Sequence, residues 1–248
     1  MRWLLLGLVL SFIAAPSLAR AETDVDLELC LASDGSGSIS PEEFAFQRQG
    51  FAAAIASDAV LAAIASGYRK RIAVGYMEWG GAHSMHPIVG WRLIEDAASA
   101  RAFAAELIAA PRKANGWNSI SEAIAFCQTW METNAFKASR LVIDVSGDAG
   151  NRGGRPLSGN RAAALAGGIT INALALNFRG GGLSGPFGEP LIQHFRNDVI
   201  GGFGAFALAI ENSNAFVDGL KRKLVLEIAG RTPDAIYGRL ETAPAVRQ

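Results

Sequence analysis

The chain has 248 residues, and its 23 basic side chains balance its 23 acidic ones. This balance gives no support for nucleic-acid binding, which is usually accompanied by a strongly basic face. Half of the residues are hydrophobic, and the length fits one α/β domain with a substantial core.

The N-terminal segment has the pattern of a secretory signal peptide. Arg2 gives a short basic start, residues 4–15 form an apolar core, and Ala19-Arg20-Ala21 is a small-x-small cleavage signal. The apolar stretch is shorter than the roughly 20 residues that span a bilayer, and no later segment is long and apolar enough. We therefore expect cleavage after Ala21 and a mature protein that is periplasmic or secreted.

Strands and helices alternate along the rest of the chain. Strands are predicted over 25–32, 71–79, 86–93, 140–146, 170–177 and 204–210. Helices are predicted over 41–65, 95–110, 121–133, 159–166, 190–196 and 214–229. The strand at 86–93 follows its predecessor too closely for a parallel crossover, which indicates a hairpin. The pattern predicts a three-layer, doubly wound α/β fold, with a mostly parallel sheet of about six strands and one antiparallel edge strand.

We divide the chain into a signal peptide (1–21), one domain (22–231) and a C-terminal tail (232–248). The tail contains Pro233 and Pro244, which oppose regular structure.

The segment Asp34-Gly35-Ser36-Gly37-Ser38 directly follows the first predicted strand. It places one carboxylate and two hydroxyls in a small glycine-spaced loop, and oxygen ligands so arranged suit a hard cation such as Mg²⁺. The next helix begins with Ser40 as N-cap, Pro41 at the first position and Glu43 completing a capping box. Because Ser40 caps the helix, Ser36 and Ser38 remain available to bind a ligand.

Two further loops are expected at the same edge of the sheet. Doubly wound sheets bind ligands at the carboxyl ends of their strands, near the switch in strand order. Asp34 lies at such an end, Asp148 follows the strand predicted over 140–146, and the loop 115–119 leads into a helix. Three loops that carry oxygen ligands at one edge would form a cation site.

The chain resembles the von Willebrand factor A-like domains, whose metal-ion-dependent adhesion site (MIDAS) uses an Asp-x-Ser-x-Ser loop after the first strand. Asp34, Ser36 and Ser38 match this loop completely. The likeness covers nearly all of the mature chain and implies a von Willebrand A, Rossmann-like fold for residues 22–231. A narrower group of uncharacterised, secreted bacterial proteins in this superfamily is similar in three segments, 142–148, 168–172 and 199–206.

The resemblance implies a Mg²⁺ or Mn²⁺ ion, with Ca²⁺ as a third candidate, held by the two serines, a second-loop threonine and aspartates. It also implies a protein or peptide partner whose carboxylate completes the coordination. Asn118 stands at the threonine position here, with the hydroxyl of Ser119 beside it, and both are candidate ligands. In the third loop we assign the aspartate role to Asp148, which has one residue inserted before it, and keep the mid-strand Asp144 as the alternative.

Some side chains allow two interpretations. Glu78, Trp79 and Trp117 either rim the site and contact a partner or pack at strand ends. Cys30 and Cys127 either form a disulfide, which an oxidising compartment permits, or remain two packed core thiols.

The first loop also has alternatives to an adhesion-type site. It fits part of an EF-hand pattern, but position 1 would be Ala32, which offers no ligand, and a strand precedes it instead of a helix. The other alternative is a loop that binds no metal, in which the serine side chains only stabilise the turn and cap the helix. His83 and His86 have no third ligand nearby in the sequence, which favours surface or turn histidines over a zinc site.

These observations predict an exported, non-enzymatic module that binds a protein or peptide partner through a divalent cation. The first alternative is a metal-free structural or chaperone-like subunit of an envelope assembly. The second is a hydrolase in which the cation activates water, although the sequence offers no evident general base.

Overall fold

The computed structural model describes residues 22–177 and 185–233. The expected signal peptide (1–21), the loop residues 178–184 and the tail residues 234–248 lie outside the described residues. Within the described ranges the strands are β1 Thr23–Val25, β2 Glu28–Asp34, β3 Ile72–Trp79, β4 Met85–Ile94, β5 Phe136–Ala138, β6 Leu141–Gly147, β7 Ile169–Leu176 and β8 Ala207–Ile210.

The main sheet has six strands in the order β4-β3-β2-β6-β7-β8. β4 pairs antiparallel with β3, and the other neighbours pair in parallel. The prediction of a mostly parallel sheet with one antiparallel edge strand is therefore confirmed. β2 and β3 are buried along their whole length, as expected for strands that are covered on both faces. The strand order reverses at β2, because β3 lies on one side of it and β6 on the other.

Helices cover both faces of this sheet and complete the three layers. They are α1 Pro41–Ile55, α2 Asp58–Ala65, α3 Ala97–Ala109, α4 Ile120–Glu132, α5 Leu157–Ala166, α6 Leu191–His194 and α7 Phe216–Ala229. α1, α2, α3 and α7 pack on one face, around Phe51 and Phe216. α4, α5 and α6 pack on the other, around Ile124 and Phe195. None of the helices in the described ranges has the length and apolar character needed to cross a membrane.

The start of α1 agrees with the sequence analysis, but its end does not. The Ser40 hydroxyl accepts the Glu43 N–H, and the Glu43 carboxylate accepts the Ser40 N–H, so the capping box is present. The helix predicted over 41–65 is two helices, because the Ser57 hydroxyl accepts the N–H of Val60 and begins α2.

Several other predicted elements also differ from the observed ones. The first predicted strand is interrupted at Asp26, whose carboxylate accepts the backbone N–H of Arg69 at 2.9 and 3.0 Å. Before this interruption, β1 pairs with β5 in a small parallel sheet. A π-helical turn, Phe195–Val199, continues α6, and a 3₁₀ turn, Ser213–Ala215, precedes α7.

Cys30 and Cys127 form a disulfide. Cys30 lies on β2, the strand that ends at Asp34, and Cys127 lies on α4, the helix that follows Ser119. The bond therefore joins the strand and the helix that carry two of the candidate site loops.

Candidate metal centre

Three loops meet at the point where the strand order reverses. The first loop (35–40) follows β2, the second (110–119) leads into α4, and the third (148–156) follows β6. β2 and β6 are neighbours in the sheet and run parallel, so their carboxyl ends lie side by side. This edge is the usual ligand position in a doubly wound sheet.

The first loop brings its polar side chains together with the third loop. Asp34 is fully buried, and its Oδ1 accepts the Ser36 N–H at 2.8 Å. The hydroxyl oxygens of Ser36 and Ser38 are 3.0 Å apart. Ser38 in turn donates to the Asp148 carboxylate at 3.3 and 3.4 Å. Four of the candidate side chains thus form one continuous cluster.

The second loop adds Asn118 to this cluster. Its Nδ2 donates to Asp34 Oδ2 at 2.8 Å, and the side chain is buried. The hydroxyl of Ser119, the other second-loop candidate, donates instead to the carbonyl of Gly153 at 3.2 Å. The described hydrogen bonds therefore place Asn118 beside Asp34, whereas Ser119 links the second loop to the third.

The buried site disfavours a negative charge on Asp34. Burial, and then the neighbouring Asp148 charge, raise the pKa of Asp34 to about 7. The opposing contributions come from dipolar donors, chiefly Ser36, which lower the pKa of Asp34 by less. Carboxylate, hydroxyl and amide oxygens are the ligands that Mg²⁺, Mn²⁺ and Ca²⁺ prefer, so these residues fit a hard divalent cation.

Backbone contacts hold the second loop against its neighbours. The Gly37 N–H donates to the Gly116 carbonyl at 2.9 Å, which joins the first and second loops. The turn between β3 and β4 supports the second loop from the other side, because Gly81 donates to the Asn115 carbonyl at 2.8 Å. A side chain at Gly80 would place its Cβ 2.1 Å from that carbonyl oxygen. Only glycine permits so close an approach.

Two of the three side chains considered for a partner-contact rim lie inside the protein. Glu78 is fully buried and pairs with Arg48 at 2.7 Å. Trp79 is fully buried as well, and its indole N–H donates to the Ala32 carbonyl at 3.0 Å. The rim assignment of these two residues is therefore wrong, because helices cover both faces of β3. Trp117 is 71% exposed and does lie at the surface.

Asp144 lies apart from the cluster and has a different role. It is buried on β6, with Oδ1 2.5 Å from the ammonium group of Lys223 on α7. Lys223 also pairs with Glu227. The alternative assignment of Asp144 as a site ligand is therefore not supported, because its carboxylate pairs with a core lysine. Since a strand precedes Asp34, the EF-hand alternative is excluded as well.

A second group of ligand-type atoms was not anticipated from the sequence. Single ligand atoms of Glu189, His194 and Asp198 all lie within 4.8 Å of one another. His194 Nδ1 is 2.9 Å from Asp198 Oδ2, and His194 Nε2 accepts the backbone N–H of Asn151 at 3.3 Å. An imidazole that accepts at Nε2 carries its hydrogen on Nδ1 and donates it to Asp198. Both ring nitrogens are then satisfied, and the group attaches α6 to the third loop.

The family follows from the sequence as a whole. The model of a family described as a protein of unknown function, DUF1194, matches residues 24–232. The chain belongs to the DUF1194 family. No curated protein matches its sequence.

Solved structures show that this DUF1194 chain has the fold of von Willebrand factor A domains. Proximal thread matrix protein 1 from the mussel byssus has a TM-score of 0.61 and 13% identity, over 84% of this chain and 49% of that one. The pilus adhesin SpaC from Lactobacillus rhamnosus GG gives 0.59 and 11%, over 84% and 31%. A von Willebrand factor type A protein from Catenulispora acidiphila gives 0.57 and 16%, over 83% and 43%.

These similarities concern the fold, because the identities are low. The DUF1194 chain spans about half of the mussel structure and about a third of SpaC. Another structure of the mussel protein has zinc in its MIDAS motif, with a TM-score of 0.56 and 10% identity over 82% of this chain and 46% of that one.

Proposed function

We propose that this DUF1194 protein is an exported binding module that recognises a protein or peptide partner through a divalent cation. Asp34, Ser36, Ser38, Asn118 and Asp148 would hold the ion, which is Mg²⁺ or Mn²⁺, with Ca²⁺ as the third candidate. The observation that carries the proposal is the contact of side chains from three separate loops around the buried Asp34 carboxylate.

The charge of the cluster supports a cation as the ligand. Two carboxylates lie together in a buried setting, and burial and then the charge of Asp148 raise the pKa of Asp34. A divalent cation would offset both charges and, when bound, supplies an attachment point for a partner carboxylate. Asn118 would offer its amide oxygen, whereas its amide nitrogen now donates to Asp34.

The surface beside the cluster supports a macromolecular partner. Trp117 directly precedes Asn118 and is largely exposed, with the guanidinium of Arg152 5.8 Å from the centre of its ring. Tryptophan and arginine are among the side chains that most often carry the binding energy of protein interfaces. Two structural neighbours are a pilus adhesin and a byssal matrix protein, which accords with export of this chain through the signal peptide expected at 1–21.

We assign binding to this site in preference to catalysis. Its two carboxylates are themselves the proposed ligands of the cation. A hydrolase would need a further base to activate water, and it would have to come from outside the cluster.

Titration of the purified protein with Mn²⁺ and Mg²⁺ tests the proposal. We expect saturable binding by the wild type, none by Asp34→Ala, and wild-type affinity for the control Asp218→Asn, whose carboxylate is highly exposed on α7. Equal responses of wild type and Asp34→Ala would remove the site. Pull-downs from envelope extract then test the partner: recovery that is the same in Mg²⁺ and in chelator would favour the metal-free structural alternative.

A further inference from the structure

Arg112 holds the first site loop through the backbone of that loop. Its guanidinium Nη2 donates to the carbonyls of Gly35 at 3.0 Å and Ser36 at 2.8 Å, and Nη1 donates to the carbonyl of Ile39 at 3.0 Å. All three acceptors lie in the segment that presents Ser36 and Ser38. One side chain of the second loop therefore fixes the course of the first.

The peptide unit between Ser36 and Gly37 is held at both of its polar groups. Its carbonyl accepts from Arg112, and its N–H donates to the Gly116 carbonyl at 2.9 Å. Because a peptide unit is planar and rigid, these two bonds fix its orientation. They thereby fix the backbone from which the Ser36 hydroxyl projects toward Ser38.

Arg112 is itself held in place by packing. Its guanidinium lies over the ring of Phe44, 4.6 Å from the ring centre, and the guanidinium of Arg48 lies over the same ring at 4.5 Å. Arg48 makes two hydrogen bonds to the Glu78 carboxylate, at 2.7 and 3.0 Å. Packing against Phe44, beside the buried Arg48–Glu78 ion pair, thus restricts the position of the Arg112 guanidinium.

We propose that Arg112 is a positioning residue for the cation site, an inference that rests on the proposed function. The Arg112 side chain affects the affinity for a cation in two opposite ways. Its positive charge repels a cation, so a purely electrostatic role predicts tighter binding once the charge is removed. Its three hydrogen bonds preorganise the serines, so a positioning role predicts weaker binding. Lysine keeps the charge but lacks the planar fork of donors, and it cannot reproduce the three bonds.

The test compares Mn²⁺ affinities of wild type, Arg112→Gln and Arg112→Lys by electron paramagnetic resonance. By analogy with residues that support metal ligands elsewhere, we expect Arg112→Gln to bind about 10- to 100-fold more weakly, and Arg112→Lys to bind more weakly than wild type despite its charge. The control is Arg92→Gln, which removes an exposed arginine paired with Glu106 and should keep wild-type affinity. Equal or tighter binding by Arg112→Gln overturns the inference.

Amide hydrogen exchange in chelator separates positioning from general destabilisation. We expect the Gly37 amide to exchange faster in Arg112→Gln while amides of β6 and β7 keep their protection. Faster exchange throughout the chain, or unchanged exchange at Gly37, contradicts a positioning role. A wild type that binds no Mn²⁺ refutes the proposed function, whereas a wild type that binds and an Arg112→Gln variant that binds equally refute only this inference.

Discussion

Replacing Glu227 by glutamine should remove a pH-dependent loss of stability. Lys223 lies between two carboxylates in the core, since it contacts both Asp144 and Glu227, and all three side chains are buried. One cation therefore faces two acids. Burial, and then the charge of Asp144, raise the pKa of Glu227 from its ordinary value of 4.5 to about 7.

The sign and the size of the effect follow from this pKa. The folded protein holds the Glu227 proton more tightly than the unfolded chain does. This contribution to the free energy of unfolding is therefore complete below pH 4.5 and is lost as the pH rises through about 7. Each pH unit corresponds to about 1.4 kcal/mol, so the loss amounts to about 3 kcal/mol.

Urea unfolding followed by tryptophan fluorescence, at a series of pH values in chelator, measures this effect. The difference in unfolding free energy between wild type and Glu227→Gln should change by about 3 kcal/mol between pH values below 4.5 and pH values above about 7. The change favours the variant at high pH. Glu106→Gln, which removes an exposed carboxylate paired with Arg92, should give a difference that hardly changes with pH. A pH-independent difference for Glu227→Gln would show that the pKa of Glu227 is not raised in the folded protein.

Three further predictions concern the disulfide, Gly80 and the exposed Trp117. Replacing Cys30 and Cys127 together by alanine should lower the free energy of unfolding by about 2–5 kcal/mol, and an unchanged urea midpoint would contradict this. Gly80→Ala should weaken Mn²⁺ binding and lower the melting temperature because its Cβ would meet a backbone oxygen, whereas Gly159→Ala, with no described atom within 4 Å of the new Cβ, should leave Mn²⁺ affinity unchanged. Trp117→Ala should keep Mn²⁺ affinity but reduce partner recovery from envelope extract, and undiminished recovery would remove it from the interface.

The sequence carried enough information for the fold and for the first loop. Alternation of strands and helices predicted the parallel sheet, and the short spacing before 86–93 predicted its antiparallel edge, because both depend on local patterns and connection lengths. The capping box at Ser40 was recognisable for the same reason: its partners are only three residues apart.

Features that depend on distant contacts were harder to predict. The N-cap at Ser57 is an exception, because its partner Val60 is only three residues away; it lies in an alanine-rich run that favours one long helix. Glu78 and Trp79 are buried against partners that lie far away in the chain, since Glu78 pairs with Arg48 and Trp79 donates to the Ala32 carbonyl. The contacts of Arg112 are to backbone carbonyls. Every residue carries a carbonyl, so the sequence around an arginine does not identify such partners.

The role of the third loop illustrates the same limit. A mid-strand side chain is expected to point into the packing, which favours Asp148 over Asp144 as a ligand, and Asp144 does pair with Lys223 in the core. The contact of Asp148 with Ser38 depends on the parallel register of β2 and β6, which joins residues more than a hundred positions apart.

The most direct test of the cation site is a crystal structure grown with Mn²⁺, with anomalous scattering recorded at the manganese edge. We expect one anomalous peak bounded by the side chains of Asp34, Ser36, Ser38 and Asp148. Absence of a peak there in crystals that contain saturating Mn²⁺, or a peak only at Glu189, His194 and Asp198, would contradict a cation site at these residues.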